Sequence, residues 1–346
     1  MDVNVTLIGL DRIGTSFGLA LKRYQARPES RHSFTILGSD TTNEPMKIAQ
    51  KLGAIDNFHR DKVKAAESAD LIITHLPYGE TEGLFARIGP ALKSGAVVLD
   101  LSLLKQTALQ WADEFFPKNE AGRPLAYLVG LTPMVGGHAL YSGGVEAEDA
   151  RADLFDGADM LIAPDARCPA EAVQLAEDIA RLIGGTPRFI DPAEHDGLIA
   201  ATEDLPALLG AALFYTLAQS EGWPELQRMV NPTLALAFQS LRTRSQADAL
   251  ALLTHNRANV VRHLDNLLEQ LEQVRGALAA GAATHNGELD AFLQVVYGAW
   301  QKWDARRTSG TWDDAAKPDP LPGAFSAMGG MLFGRRPKKS DDEDTD

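Results

Sequence analysis

The chain has little cysteine, a shortage of positive charge and no long apolar run. Its one cysteine, Cys168, stands alone among 346 residues. An intrachain disulfide framework and a Cys-rich zinc site are therefore excluded, and a reducing compartment suits the composition. Lys and Arg number 33 against 47 Asp and Glu, a formal net charge of −14. A chain this acidic repels phosphate backbones, so nucleic acid is not an expected partner. No stretch of about 18 consecutive apolar residues occurs, so no membrane span is expected. The opening MDVNVTLIGL enters a strand-like run without a basic leader and does not read as a signal peptide, so the expected location is the cytoplasm. The sequence contains no G-x-S-x-G elbow, and its one early G-x-x-x-x-G is followed by Thr15 rather than lysine, so neither a hydrolase elbow nor a P-loop is present. The histidines lack metal-ligand spacing; His255 and His263, on a leucine-rich helical stretch, read as surface positions, and no metal site is expected. Cys168, just before Pro169 at a helix start, reads as structural.

The length suits two domains with an appendage. Up to Asp191 the sequence alternates short apolar runs (3–10, 34–40, 70–76, 96–101, 126–131, 160–163 and 188–190) with helical patterns. Continuous apolar strands between helices predict an α/β Rossmann-type, doubly wound parallel sheet with ligand at the strands' carboxyl ends. From His195 to about Arg306 almost every segment has helical periodicity, which predicts an all-α C-terminal domain. The expected division is a dinucleotide-binding domain over 1–191, a helical dimerisation and substrate domain over 192–306 and a disordered tail over 307–346. In the tail the basic cluster 335–339 precedes the acidic block 341–346. The leucine stripes of the helical part exceed one face per helix, which predicts a homodimer.

Gly9-Leu10-Asp11-Arg12-Ile13-Gly14 falls between the first strand and the first helix, where a dinucleotide-binding turn belongs. Gly9 permits a tight turn, Gly14 permits close helix–strand packing, and the helix N-terminus offers amides to a diphosphate, with Thr15 and Ser16 as further donors. Asp11 occupies the position where glycine normally lets backbone touch phosphate. A carboxylate about 5 Å from a diphosphate charge costs about 3 kcal/mol at an effective dielectric near 20, which Arg12 can offset. Asp40, ending the second strand, suits the ribose hydroxyls and repels a 2′-phosphate, favouring NAD over NADP; Thr41 and Thr42 follow it, with no basic residue beside it in sequence.

Five stretches in order resemble the prephenate/arogenate dehydrogenase family. They are the loop from Gly9 to Ser16; Asp70-Leu71-Ile72-Ile73 running to Leu76-Pro77; Asp100-Leu101-Ser102-Leu103-Leu104-Lys105; Gly130-Leu131-Thr132-Pro133-Met134-Val135-Gly136-Gly137 with Ser142-Gly143 following; and Glu194-His195-Asp196 leading to Asp204-Leu205-Pro206. The resemblance implies a Rossmann domain followed by a helical dimerisation domain. It also implies an NAD(P)-dependent oxidative decarboxylation of a cyclohexadienyl acid in tyrosine biosynthesis. The family's histidine before Pro-Met falls on Thr132, its serine in the lysine segment on Leu103, its histidine before Leu-Pro on Asp204 beside Glu203, and its substrate-binding arginine near Leu234. A threonine hydroxyl can donate a hydrogen bond but is a poor general base. Lys105, His138 and Tyr141 are the candidate substitutes, and with Thr132 the first two form the expected catalytic set. His195-Asp196 is expected to open and cap the first helix of the second domain. A non-catalytic binding or regulatory protein on the same scaffold, or a hydride-transfer enzyme with another substrate, remains open.

Overall fold

The computed structural model describes residues 2–140, 144–229, 231–279 and 286–312. Tyr141, Ser142, Gly143 and the charged blocks of the tail lie outside them. The α/β part runs β1 (Asp2–Ile8), α1 (Arg12–Gln25), β2 (Ser33–Ser39), α2 (Asn43–Lys51), β3 (Asn57–Phe58), α3 (Lys62–Ala66), β4 (Leu71–Thr74), α4 (Tyr78–Ile88), β5 (Val97–Asp100), α5 (Lys105–Phe115), β6 (Tyr127–Pro133), β7 (Asp159–Pro164), α6 (Ala170–Leu182) and β8 (Thr186–Phe189). The strands form one sheet in the order β3-β2-β1-β4-β5-β6-β7-β8. Successive side chains of a strand point to opposite faces. Leu7 therefore packs with Phe17, Ile36 and Phe155 on one side, and Ile8 with Ile72, Tyr78 and Phe85 on the other. Burial on both faces is why these strands read as unbroken apolar runs.

The sheet is the expected doubly wound, mostly parallel one, with one exception. β7 runs antiparallel to β6, with Thr132 opposite Leu161, while every other pairing is parallel. The cause is the connection. A parallel return needs a crossover, usually a helix, and between Pro133 and Asp159 the described chain has only two short 3₁₀ turns, Gly137–Ala139 and Ala147–Asp149.

The helical part begins with α7 (Pro192–Ile199), a π turn over Ala200–Asp204 and α8 (Leu205–Ala218), followed by α9 (Trp223–Leu226), α10 (Pro232–Ala237), α11 (Gln239–Thr243), α12 (Gln246–His255), α13 (Arg257–Ala279) and α14 (Asn286–Ser309). The cap of α7 is Asp191, which accepts the amides of Ala193 and Glu194, with Pro192 at the first turn. His195 and Asp196 do not cap this helix; both are buried. By length and composition the run Pro192–Ala218 is apolar enough to cross a membrane. Two of its acids are nonetheless bonded to buried protein groups, Asp196 to the start of α5 and Asp204 to Asn256.

The chain divides into two compact units, Met1–His263 and Leu264–Asp346. In the first, Ile199 of α7 and Leu252 of α12 complete the core that holds Ile8, Ile72 and Tyr78. In the second, α14 leaves Tyr297, Trp300 and Trp303 exposed.

Candidate functional site

The turn after β1 starts from a backbone that only glycine adopts easily. Gly9 has φ +93°, and a Cβ there would fall 1.7 Å from the His75 carbonyl oxygen; one on Gly14 would fall 1.9 Å from the Gly9 carbonyl oxygen. These approaches bring the ends of β1 and β4 and the start of α1 together, and they form one wall of a cleft of about 770 Å³. Gly9, Leu10, Asp11, Arg12 and Ile13 line it with Asp40; Leu76 and Pro77 line it from β4; Leu101, Ser102 and Leu103 from β5; Arg244, Ser245 and Asp248 from the helices. The cleft lies at the carboxyl ends of the strands, where open α/β sheets bind ligands.

The first-turn amides of α1 are already taken. Asp11 is the N-cap, and its Oδ1 accepts from Ile13 and Gly14, both at 3.0 Å. The Arg12 amide donates to the Val145 carbonyl at 3.0 Å. The Arg12 guanidinium reaches the carbonyls of Gly144 and Ala139 rather than Asp11. The partner of Asp11 is His75, with Nδ1 at 2.9 Å from the carboxylate. Thr15 donates to the Leu10 carbonyl and Ser16 accepts from the Arg151 amide, so neither is a spare donor at the turn. An acid at this place therefore does what a bound anion does at a helix N-terminus: it satisfies the orphan amides and the positive dipole end.

Asp40 supports the loop from β2. Its Oδ2 accepts the Leu10 amide at 2.8 Å and its Oδ1 the Thr41 amide at 2.6 Å. The fold also brings two cations to the neighbouring residue, Arg60 to the Thr41 carbonyl at 3.4 Å and Lys62 to its hydroxyl at 3.3 Å. The sequence has no basic residue beside Asp40, but the turn after β3 supplies them.

At the other side of the sheet edge, Thr132 on β6 donates into a buried chain. Its Oγ1 lies 2.8 Å from Nε2 of His195, whose Nδ1 lies 3.2 Å from Oδ1 of Asp196. Both oxygens of Asp196 take backbone amides at the start of α5, Lys105 at 2.7 Å and Gln106 at 3.1 Å. Burial, with the Lys105 charge beside it, holds the His195 imidazole below its ordinary range. Lys105 is wholly buried, and its ammonium reaches the carbonyls of Asp100, Ser102 and Leu131 at 2.9, 2.6 and 3.1 Å. Burial pushes it down to about 8. Its three donors are thus committed to backbone. Leu103 faces the cleft without a polar group. His138 is about half exposed, with Nε2 3.9 Å from Asp153, and is not among the side chains lining the cleft.

The π turn sets the remaining acids. The extra residue widens the helix at Ala200–Asp204. Asp204 points inward, with Oδ2 accepting from Asn256 at 2.9 Å and Oδ1 buried without a hydrogen-bond partner. Burial raises its pKa. Glu203 faces the cleft and pairs with Arg244 at 3.2 Å, and Arg244 also lies 3.7 Å from Asp248. Arg244 is the helical part's cation in the cleft, whereas Leu234, in α10, lies outside it. Tyr78 fills the space behind, bonded to Nδ1 of His255 at 2.8 Å and stacked obliquely on Trp111. His255 is therefore tied to the wall of the site. Cys168 is pushed up to about 11 by burial, in line with a structural thiol.

Arg244, His75 and the pair Arg60 and Lys62 were not legible as site residues. His75 meets Asp11 from 64 residues away. The one local signal near Arg244 is Ser245, whose hydroxyl caps α12 by accepting the Asp248 amide at 3.1 Å.

Residues 17–187 match the family described as prephenate dehydrogenase, nucleotide-binding domain. The chain is 27% identical over 282 residues to a prephenate dehydrogenase of Bacillus subtilis (strain 168), covering 80% of this chain and 70% of that protein. It is 24% identical over 283 residues to a cyclohexadienyl dehydrogenase of Zymomonas mobilis, covering 80% and 89%. The fold is shared with the crystal structure of A. aeolicus prephenate dehydrogenase in complex with hydroxyphenyl propionate and NAD+, at TM-score 0.68, 19% identity and 87% and 98% coverage. It is also shared with Synechocystis arogenate dehydrogenase, at TM-score 0.63, 18% identity and 88% and 100% coverage.

Proposed function

We propose that the chain, whose residues 17–187 match the prephenate dehydrogenase nucleotide-binding domain, is an NAD-dependent oxidoreductase that oxidatively decarboxylates a cyclohexadienyl acid. The observation that carries this reading is the cleft itself. It joins a glycine turn at the end of β1, an acid at the end of β2 and, 770 Å³ in all, a cation on the helical wall. Gly9 and Gly14 let the ends of β1 and β4 close on the start of α1, which sets that helix N-terminus at the cleft, and Asp40 stands where ribose hydroxyls are held, so these residues fit a dinucleotide. One rearrangement is needed: the Asp11 carboxylate must leave the amides of Ile13 and Gly14. NAD supplies the hydride acceptor; the protein's part is orientation and proton handling.

Arg244 anchors the substrate carboxylate, shielded from water by Tyr78 and the α12 wall. Glu203 faces the cleft, where a dianionic keto acid meets repulsion, so an ammonium-bearing acid such as arogenate is the favoured substrate over prephenate. Lys105 holds β5 and β6 in register beneath the site, and His138 serves the β6–β7 loop rather than chemistry. The exposed Leu213, Phe214 and Tyr215 of α8 support a homodimer.

The Asp11 cap also favours a second reading, a binding protein that keeps the scaffold without turnover. Steady-state assays with arogenate and with prephenate, each with NAD, separate the two. NADH formation from either acid supports the enzyme, and silence with both, in protein that binds NADH, supports the binding protein.

A further inference from the structure

We propose that the proton of the reacting hydroxyl is handled by a two-residue relay, with Thr132 touching the substrate and His195, held by Asp196, taking and returning the proton through it. This rests on the oxidoreductase reading above. The direction of the relay follows from the hydrogen bonds. Asp196 accepts two backbone amides, one on each oxygen, so it is an acceptor toward His195 as well. Nδ1 of His195 is then the protonated nitrogen, Nε2 carries the lone pair, and Thr132 donates its hydroxyl hydrogen to Nε2 at 2.8 Å. The threonine oxygen is left as an acceptor. Thr132 lies two residues beyond Gly130, which pairs with Asp100, and so stands near the carboxyl end of β6, the edge of the sheet at which the cleft opens.

A threonine cannot serve as a base alone, but an unprotonated imidazole behind it can. With NAD bound to accept hydride from the ring carbon, the O–H bond of the ring hydroxyl would break. Its proton passes to Oγ1 of Thr132, and the threonine's own proton passes to Nε2 of His195. Loss of carbon dioxide then delivers an electron pair through the ring to the former carbonyl oxygen. The relay runs backward and protonates that oxygen to the phenol. Protons balance, and no further reactant is needed. The charged groups facing His195 are Asp196 on its own helix, Lys105 on α5 and Asp100 on β5. Burial keeps the ring neutral and able to accept at neutral pH.

Kinetics of the full-length protein from pH 5 to 9 test the relay. Wild-type kcat should fall on the acid side as His195 takes up a solution proton. Thr132→Val should lower kcat about 100-fold with KM little changed, and Thr132→Ser should recover most of that loss. His195→Gln should lower kcat and abolish the acid limb. A Thr132→Val enzyme within fivefold of wild type, or an acid limb that survives in His195→Gln, overturns the relay while leaving the oxidoreductase reading intact. Absence of turnover in wild-type protein that binds NADH overturns both. If circular dichroism finds His195→Gln unfolded, the contrast between valine and serine at position 132 decides alone.

Discussion

Oδ1 of Asp11 accepts the Gly14 amide at 3.0 Å, so the first turn of α1 is closed by its own cap. The Ile13 amide shares that oxygen, and His75 pairs with the carboxylate from the end of β4. The turn that should cradle a diphosphate thus holds a side-chain anion in its place. Cofactor binding becomes an exchange of one anion for another at the same amides, and the affinity reflects the difference between them.

The acids of the π turn carry a prediction about substrate choice. Glu203 faces the cleft beside Arg244, at 3.2 Å, and its carboxylate can take up an ammonium group. Replacing Glu203 with Gln should lower kcat/KM for arogenate about tenfold and leave that for prephenate unchanged or raised, measured as NADH formation. Equal effects on both acids would show that Glu203 does not meet the substrate side chain.

The surroundings of Asp40 carry a second. Its carboxylate disfavours a 2′-phosphate, while Arg60 and Lys62 stand at the adjoining Thr41. Asp40→Ala should narrow the preference for NAD over NADP about tenfold in Kd, and adding Arg60→Ala should remove the gain for NADP. Fluorescence titration with both reduced coenzymes reads each step.

Lys105 carries a third, on stability. Lys105→Met strands three carbonyls and should cost about 2–4 kcal/mol in urea denaturation. The folded protein pushes this lysine down to about 8 from the ordinary 10.5. Folding therefore disfavours the proton, and wild-type stability gains as pH rises from about 8 toward 10.5 and loses that gain as pH falls through 8. The variant lacks this gain, so the gap between the two proteins should be wider at pH 9.5 than at pH 7. A gap independent of pH would mean that the ammonium is as well accommodated inside as in water.

How much of this could be read from the sequence depended on distance along the chain. The Gly9–Gly14 turn, the strand cores and the end-of-strand Asp40 are local, and each reads from a few adjacent residues. The antiparallel β7 was not legible, because it depends on a connection without a helix rather than on the strand's own residues. Asp11 was recognised as an acid in the wrong place, yet which way its carboxylate turns is decided by His75, which no local pattern joins to it. Likewise His195 and Asp196 look like a helix start. Only the fold, by setting α7 against β6 and α5, makes them the backing of Thr132.

The exchange of anions at α1 is the claim on which the functional account stands, and isothermal titration of NADH into wild-type and Asp11→Gly protein tests it most directly. Loss of the carboxylate frees the amides of Ile13 and Gly14 at a cost to the helix of only a few tenths of a kcal/mol. Binding to wild type should be measurable and binding to the variant at least about tenfold tighter, within the roughly 150-fold that the charge term alone allows. No heat with wild type, or equal or weaker affinity in Asp11→Gly, would contradict it.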